Sequence, residues 1–136
     1  MSEHKKAVVG PWTDVWNGAD PSKLREFTDP DIHFESSGLP GSDGIDGLVE
    51  VITELRRAFP DGEFVTHEVI AEGDTVVNRW TFRGTQKGEW MGRPGTGRSV
   101  EVNGTSTNHF RNGKVVEHLA DWNSLGMMQQ LGVIEL

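Results

Sequence analysis

The hydrophobic period of this chain changes once, near Pro60-Asp61-Gly62, and that change constrains the fold more than any other feature. Before it, apolar residues recur at helical spacing: Val8, Val9, Trp12, Val15 and Trp16, then Leu48, Val51, Ile52, Leu55 and Phe59. After it, residues 63–71, 75–86, 98–111 and 114–122 read as strands, several with one apolar and one polar face. Only Asn112-Gly113 separates the last two segments. Both central positions of a two-residue hairpin turn need positive φ, so this pair marks a hairpin. Helices first and hairpin-linked strands afterwards predict an α+β fold with a curved, mainly antiparallel sheet.

Smaller signals fill in the order of elements. Gly10-Pro11 lies inside the first apolar stripe (residues 5–17) and predicts a new segment or a kink, because proline lacks the amide donor. Asp20-Pro21 opens a short helix through Phe27, with Asp as N-cap and Pro at the first helical position. Residues 31–37 read as a short strand, residues 38–47 as a glycine-rich loop, and residues 87–97 as a loop rich in Gly and Pro. Asn123 can cap a short terminal helix. A chain of 136 residues is long enough for one core, so a single domain over residues 1–136 is expected.

Alternation also assigns faces. Val76, Asn78, Trp80 and Phe82 form the more apolar side of their strand and are expected to point inward. Val100, Val102, Gly104, Ser106, Asn108 and Phe110 form the inner set of the next. In the last strand Val116, His118, Ala120 and Trp122 oppose Val115, Glu117, Leu119, Asp121 and Asn123. Glu117 marks the second set as outer, although Val115 and Leu119 are apolar.

Composition narrows the function classes. Net charge is -8, from 13 Lys+Arg against 21 Asp+Glu, and no basic cluster stands out. That argues against nucleic acid or an anionic membrane as the main partner, since both require a positive footprint. Cysteine is absent, which removes disulfides, thiolate nucleophiles and zinc-cysteine sites. The five histidines, His4, His33, His67, His109 and His118, show no HxH or HExxH spacing, so no metal site is expected. The glycines of the segment GRPGTGR lack a following Lys-Ser/Thr, and no nicotinamide or flavin fingerprint is visible, so no cofactor is expected. There is no run of about 18 apolar residues, and the first residues are too polar for a signal peptide. A cytoplasmic soluble domain is the expectation.

Several side chains could carry chemistry. Asp121 is the natural general base, since a carboxylate in an apolar cavity has its pKa raised toward a useful range. Strict alternation, however, turns it outward. His118, on the inner set, could orient a carboxylate, polarise a carbonyl or shuttle a proton. Asn78, Ser106 and Asn108 are polar members of inward faces and must find partners there, whether ligand or protein. Trp16, Trp80 and Trp122 offer flat apolar walls suited to a polycyclic aromatic ligand. His109 and His33 fall on outer faces. The odd-numbered face with Thr105, Thr107 and His109 carries little charge for a free surface, which points to a homodimer packed through the sheets.

The run GDTVVNRWTFRGTQKGEWMGRPGTGRSVEVNG, followed by FRNGKVVEHLADWNSLGMMQQLG, resembles the SnoaL-like polyketide cyclases, as do the WNGAD, DPDIHF and RRAFPDGEF segments of the first half. The resemblance implies a cone-shaped α+β barrel, shared with ketosteroid isomerase and scytalone dehydratase, around a deep apolar cavity. It also implies a homodimer and a place in polyketide or antibiotic biosynthesis. In that family an aspartate on the last strand exchanges protons during an aldol closure, helped by a histidine of the preceding strand. Aligned without a gap from Gly126, His118 falls on the family's last-strand histidine, Ala120 on the catalytic aspartate and Ser106 on the preceding-strand histidine. Aligning the Asp121-Trp122 pair instead requires a bulge, which would turn Asp121 into the cavity. Three functional readings follow. One is a cofactor-independent acid–base enzyme acting on an apolar carbonyl compound, with Asp121 or His118 as base and Asn108, Ser106 or a water holding the oxyanion. The second is a hydroxylase-type relative acting on a reduced aromatic substrate, and the third a non-catalytic binding module.

Overall fold

The computed structural model describes residues 5–37 and 39–135; His4 and Gly38, which entered the sequence reading, lie outside the described residues. Helix α1 (Val9–Trp16) is followed by a 3-10 helix (Pro21–Glu26) and strands β1 (Thr28–Ser36) and β2 (Leu39–Asp43). Helix α2 (Ile45–Ala58) leads into β3 (Glu63–Glu72), β4 (Thr75–Thr85), β5 (Ser99–Arg111) and β6 (Lys114–Trp122), and helix α3 (Ser124–Gln130) closes the order. The strands form one curved, open sheet in the order β2-β1-β6-β5-β4-β3. Every neighbouring pair is antiparallel except β1 with β6.

Local chemistry explains most boundaries. Pro11 sits in the first turn of α1, where its missing amide would have had no helical acceptor, so the helix tolerates it. Asp20 accepts a hydrogen bond from the Ser22 amide at 3.0 Å and caps the 3-10 helix. On α2 the residues Leu48, Ile52, Leu55 and Ala58 are buried along one stripe. Asn112 and Gly113 have φ of 55° and 78°, the geometry of the turn that joins β5 to β6. Asn123 accepts from the Gly126 amide at 2.9 Å and starts α3.

Two expectations are corrected. Residues 39–43 of the expected glycine-rich loop are strand β2, which pairs with β1 through His33 opposite Asp43 and Phe34 opposite Ser42. Its composition hides it, because Gly and Pro are tolerated on an edge strand that needs only one row of hydrogen bonds. The other concerns β6, where Val115 is buried (1 % exposed) and Val116 is the half-buried residue. Pairing with β5 shifts between His109–Glu117 and Phe110–Val115, so Val116 is an extra residue in a bulge. Beyond the bulge, strict alternation resumes and brings His118 and Ala120 inward.

The buried side chains form two clusters. One gathers Trp12, Phe34, Leu48, Ile52, Val76, Phe110 and Val115; the other gathers Leu55, Phe59, Trp80, Phe82, Trp90, Val102 and Met127. Trp16 packs against both. The concave face of β4–β6 lies between them, and Gly104 is where the sheet lets an aromatic ring approach most closely. A Cβ there would overlap the Trp80 ring and crowd Trp122. Gly104→Ala should therefore destabilise the fold by about 1–3 kcal/mol, the range for overpacking a core. Urea unfolding checks this, and an unchanged midpoint would contradict the packing described.

Candidate active site

A partly open cavity of about 80 Å³, measured over the positions a water centre can occupy, lies against this concave face. Space for several waters by that measure is unusual for a protein interior, whose voids seldom exceed one. All five tryptophans (Trp12, Trp16, Trp80, Trp90 and Trp122) line it, with Phe34, Phe64, Phe82, Leu55, Val102 and Met127. Its polar lining residues are Thr13, Ser36, Thr66, Asn78, Ser106 and His118. His118 is thus the only ionisable side chain on the wall among the described residues.

Strand pairing assembles the surroundings of His118. The antiparallel register sets Asn108 opposite it on β5 and Val76 opposite Asn108 on β4, while the parallel pair sets Phe34 opposite it on β1. Asn108 Nδ2 donates to the Val76 carbonyl and to Asn78 Oδ1, both at 3.1 Å. A backbone carbonyl can only accept, so the Asn108 nitrogen must face it and the Asn108 oxygen must face His118. That oxygen lies 2.6 Å from His118 Nδ1, which therefore carries the proton and donates. Nε2 is left as the ring's acceptor, with no hydrogen-bond partner among the described residues. The ring stacks on Phe34 (centroids 5.6 Å apart, planes 5° apart) and lies 4.8 Å from Trp12. Burial without a counter-ion pushes the His118 pKa down to about 3, so the imidazole is neutral near pH 7.

Two hydroxyls share a second pattern. Trp80 Nε1 donates to Ser106 Oγ at 2.9 Å, and Trp122 Nε1 donates to Ser36 Oγ at 2.8 Å. Each hydroxyl accepts from an indole and keeps its own proton to donate. The indole nitrogens of Trp16 and Trp90 are buried without a partner among the described residues. Leaving such a group unsatisfied costs on the order of 1–3 kcal/mol, which stability alone would not retain.

The residues singled out from sequence fall in three places. Trp16, Asn78, Trp80, Ser106, His118 and Trp122 line the cavity. Asn108 lies behind His118, beside a separate space of about 10 Å³ that Asn78 also borders. Asp121 is outside: it is exposed, pairs with Thr105 on the outer face, and lies 3.4 Å from Ser37 Oγ. The bulge that would have turned it inward is at Val116, so alternation from His118 carries Asp121 away from the cavity. Trp12, Trp90 and Ser36 were not anticipated. Trp12 stood in the helical stripe, but nothing in the pattern aimed it at the imidazole, and Ser36 arrives through the parallel pair. His109 bonds Thr75 Oγ1 at 3.2 Å, and His67 bonds Thr81 Oγ1 at 2.7 Å, both outside the cavity lining. Among the described residues, no three His, Asp or Glu side chains converge to hold a metal.

The sequence profile of the SnoaL-like polyketide cyclases matches residues 6–131. The chain belongs to the SnoaL-like polyketide cyclase family. Solved structures agree in fold. A SnoaL-like candidate polyketide cyclase from Jannaschia sp. CCS1 superposes with a TM-score of 0.90 at 24% identity, over 99% of this chain and 96% of that one. AclR, a candidate hydroxylase from Streptomyces galilaeus, is 29% identical with a TM-score of 0.85, over 100% and 85% of the two chains. IdmH, a candidate polyketide cyclase from Streptomyces antibioticus, is 29% identical with a TM-score of 0.81, over 94% and 98%. No curated protein matches the chain. No helix is long and apolar enough to cross a membrane among the described residues.

The state of His118 has a measurable consequence for this SnoaL-like fold. Between its folded pKa of about 3 and its ordinary value of 6.5, the unfolded chain takes up a proton that the folded chain refuses. Stability should therefore fall as pH drops through that window. His118→Gln, neutral at every pH, should lose less on going from about pH 7 to about pH 4, by on the order of 3 kcal/mol. Urea unfolding at the two pH values measures the difference. Equal losses in both proteins would mean that the imidazole is not held neutral.

Proposed function

We propose that the cavity binds a small apolar polyketide-type carbonyl compound and that His118 removes a proton from the carbon beside a carbonyl. This is the opening step of an aldol-type ring closure. The observation that carries the reading is the fixed tautomer: Nδ1–H is committed to Asn108, and a lone pair on Nε2 remains at the wall of an aromatic cavity with no other ionisable side chain.

The low pKa of His118 does not oppose this role. It describes charging the imidazole alone in an apolar space. Proton transfer from a bound neutral ketone creates an imidazolium and an enolate together, and their attraction at low dielectric offsets much of the desolvation. The Nδ1–H bond to Asn108 strengthens as the ring gains charge, and the faces of Trp12 and Phe34 favour a cation beside them. The Ser106 hydroxyl, already accepting from Trp80, has a proton to donate to the developing oxyanion. The enolate carbon then attacks a second carbonyl of the same molecule. His118 returns its proton to the alkoxide so formed, and the catalyst is restored. Asp121 takes no part.

A second reading has one specific support. The cavity wall carries Ala120 and no carboxylate, and AclR, 29% identical, bears the name of a candidate hydroxylase. In that reading the aromatic walls present a reduced ligand to oxygen, and consumption of oxygen distinguishes it. The proposal also includes a homodimer packed through the outer sheet face, where Thr105, Thr107 and His109 are half-buried and Ile70 is 57% exposed. Light scattering should give twice the chain's 15.1 kDa, and a monomer would refute the dimer.

Deuterium uptake at the benzylic carbon of 2-tetralone, a bicyclic aromatic ketone, tests the proton transfer without knowledge of the natural substrate. Wild type should accelerate exchange, and His118→Gln should reduce that acceleration at least about 100-fold, the lower end for a general base. Asp121→Asn should remain within about twofold of wild type, as an outer-face carboxylate would. Since His118 is already neutral, the rate should be flat through neutral pH and fall only toward about pH 3. Undiminished exchange in His118→Gln would end the proposal.

A further inference from the structure

The Val76 carbonyl fixes more than one side chain. Because it can only accept, it orients the Asn108 amide, and Asn108 in turn touches two cavity residues with opposite ends. Its oxygen takes the proton of His118 Nδ1 at 2.6 Å and so leaves Nε2 as an acceptor. Its nitrogen donates to Asn78 Oδ1 at 3.1 Å, so the Asn78 oxygen is engaged and the Asn78 amide nitrogen is the free end. Asn78 lines both the main cavity and the small space behind it. Neither His118 Nε2 nor Asn78 Nδ2 has a hydrogen-bond partner among the described residues. Strands β6 and β4, which flank β5, thus carry one acceptor and one donor on either side of Asn108, and no cation or carboxylate stands on the same wall.

The geometry points to Asn108 as the residue that sets the hydrogen-bond polarity of the cavity, so that the site takes an uncharged aromatic ligand carrying a hydroxyl beside a carbonyl. The phenolic or enolic O–H donates to His118 Nε2, and the carbonyl oxygen accepts from Asn78 Nδ2. Asn108 is a positioning residue here: it reaches the ligand only through its two neighbours. A carboxylate or phosphate is rejected, because a neutral imidazole acceptor would face it and no charge would balance it. The inference rests on the cavity being the ligand site and not on His118 acting as a base.

The test uses two neutral naphthalenes, 2-naphthol as hydroxyl donor and 2-acetonaphthone as carbonyl acceptor, with calorimetric titration of the full chain. Nitrogen-15 NMR of wild type should show His118 protonated at Nδ1. In Asn108→Leu the ring loses its acceptor at Nδ1, the proton moves to Nε2, and the wall becomes a donor there. The affinity ratio of naphthol to acetonaphthone should then fall about tenfold, the worth of one hydrogen bond gained or lost. Asn78→Leu should weaken acetonaphthone about fivefold and leave the His118 nitrogen signals in place. A merely structural role for Asn108 would weaken both ligands together, and that result overturns the inference. So does an Nε2–H ring in wild type, or failure of both naphthalenes to bind. If Asn108→Leu does not fold, the wild-type spectrum and Asn78→Leu decide. Loss of 2-tetralone exchange alone, with the ligand preferences intact, would sink the catalytic reading and leave this one standing.

Discussion

An imidazole is buried in this protein with no counter-ion, and the arrangement around it follows from keeping that ring neutral. His118 is 4 % exposed, stacked on Phe34 and close to the Trp12 ring, with one hydrogen bond from Nδ1 to Asn108. A charged ring in that place would need a carboxylate, and none stands on the wall. Neutrality makes the histidine a hydrogen-bond acceptor at Nε2 rather than a cation on the cavity wall. The relay from the Val76 carbonyl through Asn108 gives that neutral ring a single tautomer. Backbone geometry, which no side-chain substitution readily alters, thus controls the chemistry at the end of the chain of bonds.

Much of this was legible in the sequence, and the parts that were not have physical reasons. Period-two alternation placed Asn78, Trp80, Ser106 and Asn108 on one face, and Asn112-Gly113 fixed the β5–β6 hairpin register. Both signals are local, so a single sequence carries them. The parallel pairing of β1 with β6 joins residues more than 80 positions apart, and no local pattern encodes it. Yet it supplies Phe34 to His118 and Ser36 to Trp122. Strand β2 was hidden by its proline and glycine. The inner face of β6 was ambiguous because Val115 and Val116 are the same residue type, and only the bulge decides which is buried.

Asp121 shows how family likeness and register can conflict. Its Asp-Trp pair looks like the family's last-strand pattern, with one residue too many between His118 and Asp121. A bulge between them would have absorbed the surplus. The bulge lies upstream instead, at Val116, where it buries Val115 in the first cluster. The apolar contacts of Val115 and the stacking of His118 favour that position, since moving the bulge would flip His118 or Val115 to the outer face. Membership of the family therefore fixes the fold, while the acid–base inventory of this cavity is the chain's own.

The loop that carries Trp90 is tied down by one buried side chain. Gln86, 1 % exposed, donates from Nε2 to the carbonyls of Gly88, Arg93 and Pro94 and accepts at Oε1 from Thr96 Oγ1. One side chain thereby satisfies the loop that carries Trp90, and paired backbone bonds between Trp90 and Arg93 close a tight turn within it. That turn places Met91 at φ 52°, a conformation an unbranched side chain enters only at some cost. Trp90 in return packs edge-on against Phe59 and lines the cavity, although its indole nitrogen finds no partner. A strained residue and an unsatisfied donor on one loop are both unfavourable for folding. Both fall on the loop whose Trp90 lines the cavity. The cavity wall thus includes both a residue of a hydrogen-bonded loop and an oriented histidine, and both are fixed by contacts within the protein itself.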